Sequence, residues 1–260
     1  MHASLLLLSG LIASAWAAPA FPQVVPEVVV PKSVQAISEY FNLLAGKVQE
    51  SRQLGFAPTC DLSSVSLPAG ASGLPPPSPG LTLRHIAIGR GTQNYTCANA
   101  TAEPKATGAV ATLFNATCVV ATNPDLASAL ARAALYFPVA QIEAARRLSP
   151  SNLAVSGLHY FTQNPDSVPF FNLDVSPDWK LGEIPCSKAG SVPAPAGAAR
   201  GLEGEPAVAW LKLEAKPGAT GGLKEVYRVE TVGGSPPATC DGMPQSFEVQ
   251  YATQYWFYAK

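Results

Sequence analysis

Proline and glycine punctuate this chain so densely that most of what remains between them is short enough for strands. Proline supplies 25 of the 260 residues, about twice its usual share of roughly 5%. It lacks a backbone N–H and is expelled from helix interiors and central strands. Three stretches concentrate the effect. Residues 18–32 alternate prolines with valines and read as an extended spacer or propeptide. Residues 68–80 hold five prolines and three glycines, and residues 185–206 are rich in proline, alanine and glycine, so both read as loops.

Between these stretches the pattern is largely that of strands. Leu81 to Ile88, Gln93 to Cys97 and Ala109 to Cys118 are expected strands, followed by Leu158 to Thr162, Val168 to Leu173, Ala207 to Leu213, Glu225 to Thr231 and Phe247 to Tyr258. The last is the clearest, because Phe247, Val249, Tyr251, Tyr255 and Phe257 alternate with more polar positions. Helices are expected in two places. Ser33 caps a segment over 33–55 whose Val34, Ile37, Phe41, Leu44 and Val48 form one apolar stripe. Asn123-Pro124-Asp125 opens a central helix continued by Leu126, Leu130 and Ala134, with a second helical piece from Val139 to Leu148. The expected fold is all-β and mainly antiparallel, a sandwich or barrel with an N-terminal helix and a short central helical insertion. The β-rich domain is expected over 56–260.

Residues 1–17 have the form of a secretory leader, with Leu5 to Leu8 and Leu11-Ile12 as the apolar core and Ala15-Trp16-Ala17 as the cleavage signal. The run is interrupted by Ser9-Gly10, so it falls short of the roughly 20 apolar residues of a spanning helix. The expected address is extracellular. Three sequons fit it, at Asn94, Asn99 and Asn115. So do five cysteines, for which disulfides are the default in an oxidising compartment. The expected pairs are Cys97 with Cys118 across neighbouring strands and Cys60 with Cys240, leaving Cys186 free.

Charge narrows the partners. Charged residues are only 13% of the chain and the net charge is −1, which gives no electrostatic reason to bind nucleic acid or an anionic membrane. Carbohydrate or a cell-wall polymer is the partner class considered.

Catalytic motifs are scarce. Gly89-Arg90-Gly91-Thr92-Gln93-Asn94 begins like a dinucleotide loop, but the third glycine is missing and a strand follows where a helix N-terminus is required. It reads as a glycine turn between strands, and no cofactor is expected. After leader removal only His85 and His159 remain, and no H-E-x-x-H or G-x-S-x-G occurs, so no metal site is expected. The functional reading puts His85 and His159 on adjacent strands with Asp166 or Asp174 orienting one imidazole as a base. The plainer reading makes each a strand residue satisfied by local hydrogen bonds. Asp166, Asp174, Asp178 and Glu183 are the carboxylates considered for glycoside hydrolysis, and no sequence spacing selects a pair. Trp210, Trp256 and Tyr258 offer flat rings for a ligand if they are exposed; otherwise they line a second buried face of the sheet.

Several blocks carry a family resemblance: Gly80 through Cys97, Gly108 through Phe114, Leu158-His159-Tyr160-Phe161, Trp210-Leu211-Lys212-Leu213, Val226-Tyr227-Arg228-Val229, Pro237 through Cys240, and Tyr255-Trp256-Phe257-Tyr258. Over residues 60–258 these resemble a secreted fungal family of unknown function with distant bacterial relatives, many of whose members are labelled malate dehydrogenase. The resemblance implies a secreted β-rich domain and no established catalytic residues. The dehydrogenase label conflicts with the missing phosphate-binding turn. Two functions are therefore carried forward: a non-catalytic secreted glycoprotein acting at a cell wall or host surface, with carbohydrate binding as its specific form, and an extracellular hydrolase with a dispersed His/carboxylate site.

Overall fold

The computed structural model describes residue 39 and residues 60–140, 146–148, 151, 153–163, 167–175 and 180–260. The expected leader, the spacer, nearly all of the first helix and Asp166 lie outside the described residues.

The nine strands are β1 (Thr82–Thr96), β2 (Lys105–Asn115), β3 (Arg147–Leu148), β4 (Leu153–Phe161), β5 (Pro169–Asn172), β6 (Glu183–Val192), β7 (Trp210–Ala215), β8 (Leu223–Gly233) and β9 (Ser246–Ala259). Eight of them close an antiparallel barrel. Each pairs with its neighbour in the chain, β2 joins β4, and β9 returns to β1 over most of its length; β3 pairs only with the start of β4. The fold is thus the barrel form of the expected all-β class, with an up-and-down order. Closure removes the unpaired edges that would template aggregation.

Two expectations are corrected at β1 and β6. The Gly89–Asn94 run does not turn; it lies inside the unbroken 15-residue β1. The reason is steric. A Cβ at Gly89 would stand 2.6 Å from the Tyr255 ring, and one at Gly91 would stand 1.9 Å from the Val110 carbonyl oxygen. These glycines let the lumen-facing ring and the neighbouring strand approach β1 closely. The proposed loop at 185–206 begins as strand β6 instead. Ile184 and Cys186 point into the lumen, and Phe170 pairs with Pro185 across β5.

Among the described residues, α1 (Thr117–Thr122) and α2 (Pro124–Ala134) are the two α-helices with defined limits, and a short 3-10 helix spans Ala69–Gly73. The Asn123 side chain accepts from the Leu126 N–H at 3.2 Å and Pro124 occupies the first turn, as the sequence leads one to expect. The strand expected to reach Cys118 stops at Asn115, where the Asn115 side chain accepts from the Thr117 N–H and starts α1. The helical piece expected to end at Leu148 gives way there to β3.

Apolar side chains pack on both faces of the sheet. Inside the barrel lie Leu113, Phe171, Ile184, Cys186, Leu213, Val226, Tyr255 and Phe257. Outside, Ile86, Ile88, Phe114, Tyr227, Val229 and Trp256 are covered by α2 and by a strap over residues 65–83. Arg90 is buried on this outer face at the end of α2. Its guanidinium donates to the carbonyls of Ala134 and Phe137 and contacts Gln250, which satisfies carbonyls that a helix C-terminus leaves open.

The disulfides join Cys60 to Cys118 and Cys97 to Cys240, with Cys186 free and buried. The expected pairs are overturned by register. Thr96 faces Lys105 while Ala87 faces Asn115, so Cys97 and Cys118 sit at opposite ends of the β1–β2 hairpin, on the order of 30 Å apart at strand rise. A bridge needs Cα atoms within about 7 Å.

Candidate functional site

Each sequence-named candidate can now be placed. His85 is fully buried, with Nδ1 2.9 Å from the Thr117 hydroxyl and Nε2 3.0 Å from the Ser156 hydroxyl. Burial pushes its pKa down to about 3, so the ring is neutral. It ties β1, α1 and β4 together. His159 donates from Nδ1 to the Phe170 carbonyl at 3.0 Å and stacks on Phe171 with ring centroids 4.2 Å apart. Its pKa is held down to about 4, mainly by burial, with the Arg228 charge adding to it against the Phe170 hydrogen bond. Asp174 accepts from the Gly182 N–H at 2.7 Å and so holds a loop. The structure therefore does not gather His85, His159 and Asp174 into one acid–base group.

Trp210, Trp256 and Tyr258 are buried, at 2%, 2% and 6% exposure. The exposed-ring version of a ligand site is overturned, because the strap and α2 cover that face of the barrel. Trp256 donates to the Gln254 side chain, whereas Trp210 Nε1 makes no hydrogen bond. Of the sequons, Asn99 is exposed, and its side-chain oxygen accepts from the Thr101 N–H and hydroxyl. Asn94 and Asn115 are half-buried in β1 and at the end of β2.

What the barrel does gather is a polar group around its lumen. The register runs Ala87–Tyr255–Arg228–Leu211 on one side and Gly91–Ala111–His159–Phe171 on the other. His159 meets the Tyr255 ring at 5.4 Å and the Phe161 ring at 5.7 Å. The Tyr251 and Tyr255 hydroxyls are 2.9 Å apart. Tyr95 donates to the Gly234 carbonyl at 2.7 Å. Burial raises the pKa of all three tyrosines, Tyr95 to about 12, while Arg228 pulls each the other way. At neutral pH they are uncharged hydroxyls.

Arg228 is the charged member. It is half-buried and donates from Nε and Nη2 to the Ala209 carbonyl at 3.2 and 2.9 Å. Among the described residues no carboxylate lies within ion-pair distance of it. Gln93 is 8% exposed and packs beside Tyr251, and its Nε2 has no acceptor among the described residues.

Arg228, Gln93, Tyr95, Tyr251 and Tyr255 were not singled out as site residues from sequence. Strict alternation in β8 puts Arg228 on one face with Lys224, Val226 and Glu230, a mixed pattern that does not single it out. Register shifts at Leu223/Glu225 and Val229/Val232 break that alternation. Glu230, at φ 50°, marks the second irregularity. An arginine two residues from the lumen-facing Val226 was the available signal.

A family model covers residues 77–259, the barrel almost from end to end. The chain belongs to the DUF3455 family. That family is described as a protein of unknown function. No curated protein and no solved structure matches the chain. The DUF3455 boundary falls inside the strap, so the lumen residues lie within the family region and Cys60 lies before it.

Proposed function

We propose that this chain is a secreted glycoprotein that works by binding, outside the cell, at a cell wall or host surface. The supporting observation is the way the barrel uses its polar residues. Both histidines are engaged in local hydrogen bonds and share no described carboxylate, while an arginine without an acidic partner stands on the lumen side. Barrels of eight strands are wide enough to be filled by side chains or to hold one small ligand. Two disulfides fit an oxidising compartment. Carbohydrate remains the ligand class to test, now at the lumen mouth rather than on the buried tryptophans.

Expression of the full chain in a secreting eukaryotic host tests the reading. The expected product appears in the medium with Ala18 at its amino terminus. Enzymatic deglycosylation should lower its mass, and Asn99→Gln should remove that change more fully than Asn94→Gln. A glycan array carrying neutral and acidic saccharides should show signal above background. Retention in the cell would overturn the secreted reading, and a blank array would overturn carbohydrate.

A further inference from the structure

Lys212 shows how this molecule normally treats a buried charge. It sits 2.9 Å from a Glu225 carboxylate oxygen and also donates to the Pro76 carbonyl. Arg90, lacking an acid, is surrounded by carbonyl and amide oxygens from α2, β1 and β9. Arg228 receives neither treatment. A guanidinium presents five N–H donors in a planar fork, and here Nε and Nη2 both point at one carbonyl oxygen, that of Ala209, with the Tyr255 hydroxyl beside the group. No carboxylate among the described residues neutralises it.

Its surroundings carry the same deficit. Gln93 Nε2 is a buried donor without an acceptor, a condition that folding disfavours. Gln93 and Tyr251 both pack where a side chain at Gly234 would lie. Tyr251 and Tyr255 share a hydroxyl contact, and Tyr255 pairs with Arg228 across β8 and β9. A buried donor without an acceptor and a cation without an acid therefore border the same tyrosine pair. The complement is an acceptor carrying one negative charge.

We propose that the Arg228 side of the lumen is a binding site for the carboxylate of a small organic acid. A carboxylate has two oxygens in one plane and matches the arginine fork. Its single charge equals the single cation present, whereas a phosphate dianion would call for a second. Arg228 keeps part of its surface exposed, unlike the fully buried Arg90. Gln93 Nε2 and a tyrosine hydroxyl supply further donors to the same ligand. The proposal rests on reading the lumen as the binding surface and names the chemistry it selects. Sugar acids and aromatic acids share that chemistry.

The test is calorimetric titration of the full chain with two acids and their neutral counterparts, glucuronate against glucose and benzoate against benzamide, with inorganic phosphate as the tetrahedral anion. At least one acid should bind ten or more times tighter than its neutral counterpart and tighter than phosphate. The pair that responds identifies the source as sugar or aromatic acid. Arg228→Gln should weaken that acid at least tenfold, with near-ultraviolet circular dichroism confirming the fold. Gln93→Leu removes the buried Nε2 donor and should weaken it about threefold or more, with the same check on the fold. Equal binding of acid and neutral counterpart would overturn the carboxylate site while leaving a binding lumen intact. Acid binding untouched by both substitutions, phosphate binding as tightly as the acids, or no binding by any probe would also overturn it. A signal for neutral glycans alone on the array would then preserve the broader reading.

Discussion

Two glycines two residues apart in β1 should respond very differently to a single added methyl group. The new Cβ at Gly91 would fall on backbone, 1.9 Å from the Val110 oxygen and 2.6 Å from the Ala111 Cα. At Gly89 it would meet the Tyr255 ring at 2.6 Å, and a ring can turn. Gly91→Ala should therefore cost about 3 kcal/mol or more, and Gly89→Ala about 1–2 kcal/mol, in the range of overpacking and strain. Urea unfolding of both variants measures the difference, and equal midpoints would contradict it. The histidines set the acid response. The His159 pKa falls from 6.5 in the unfolded chain to about 4 in the barrel, and that of His85 falls to about 3. Below pH 6.5 the unfolded chain binds protons that the folded barrel refuses. Their neutral burial thus costs nothing extra above pH 6.5, and stability drains away as pH falls from 6.5 toward 4 for His159 and further for His85. The His159 share is roughly 3 kcal/mol. His159→Gln should lower stability at pH 7 yet flatten its loss between pH 6.5 and 4, as read from urea midpoints against pH.

At the scale of elements, the strap is tied to the barrel by polar contacts that substitution can separate. Ser78 donates its hydroxyl to Glu225 at 2.5 Å, Lys212 donates to the Pro76 carbonyl, and Tyr227 donates to the Pro75 carbonyl at 2.8 Å. Lys212 and Glu225 each keep only 4% of their side chains exposed. Removing Glu225 leaves Lys212 buried with only the Pro76 carbonyl and a 4.0 Å approach to the exposed Glu214. Glu225→Gln should cost about 3–5 kcal/mol, whereas the double change Lys212→Met with Glu225→Leu should cost much less. Thermal melts of the two variants decide this, and an equal or larger loss in the double variant would show that the ion pair itself stabilises the strap. The strap and α2 also explain what the sequence conceals. Alternation in β9 correctly separates Phe247, Val249, Tyr251, Tyr255 and Phe257 from Trp256 and Tyr258, but it cannot say that both faces are buried. The Asn123-Pro124 start was legible because capping is local. The extent of β1 was not, because Gly89 and Gly91 are explained by Tyr255 and Val110, which are distant in sequence. The same applies to the site: Arg228 sits among charged neighbours in sequence, and only its pairing with Tyr255 on β9 places it beside the lumen tyrosines.

For the whole molecule, connectivity joins these scales. Each disulfide ties the barrel to chain that strand pairing alone would leave loosely held. Cys97–Cys240 fastens the loop after β1 to the β8–β9 connection, where the Cys97 N–H donates to the Gln245 carbonyl and the Cys240 N–H to the Ala102 carbonyl. Cys60–Cys118 holds the chain just before the strap against α1. They close 58 and 143 residues of chain, each worth roughly 4–5 kcal/mol in the chain-entropy account. Cys186 differs in kind. It is fully buried on the lumen side, and burial raises its thiol pKa far above the ordinary range, so its reactive thiolate is suppressed. Non-reducing peptide mapping should recover the 60–118 and 97–240 pairs, and a thiol reagent should label Cys186 only after denaturation. Reduction should lower the melting temperature in two separable parts: Cys60→Ser with Cys118→Ser loosens the strap and α1, while Cys97→Ser with Cys240→Ser loosens the Asn99-bearing end. Because the family region begins within the strap, the first pair staples flanking chain onto the barrel and the second lies inside it. Loss of the first pair should therefore leave carboxylate binding at Arg228 within about twofold of the intact protein. A tenfold loss in calorimetry would show instead that the site depends on the strap.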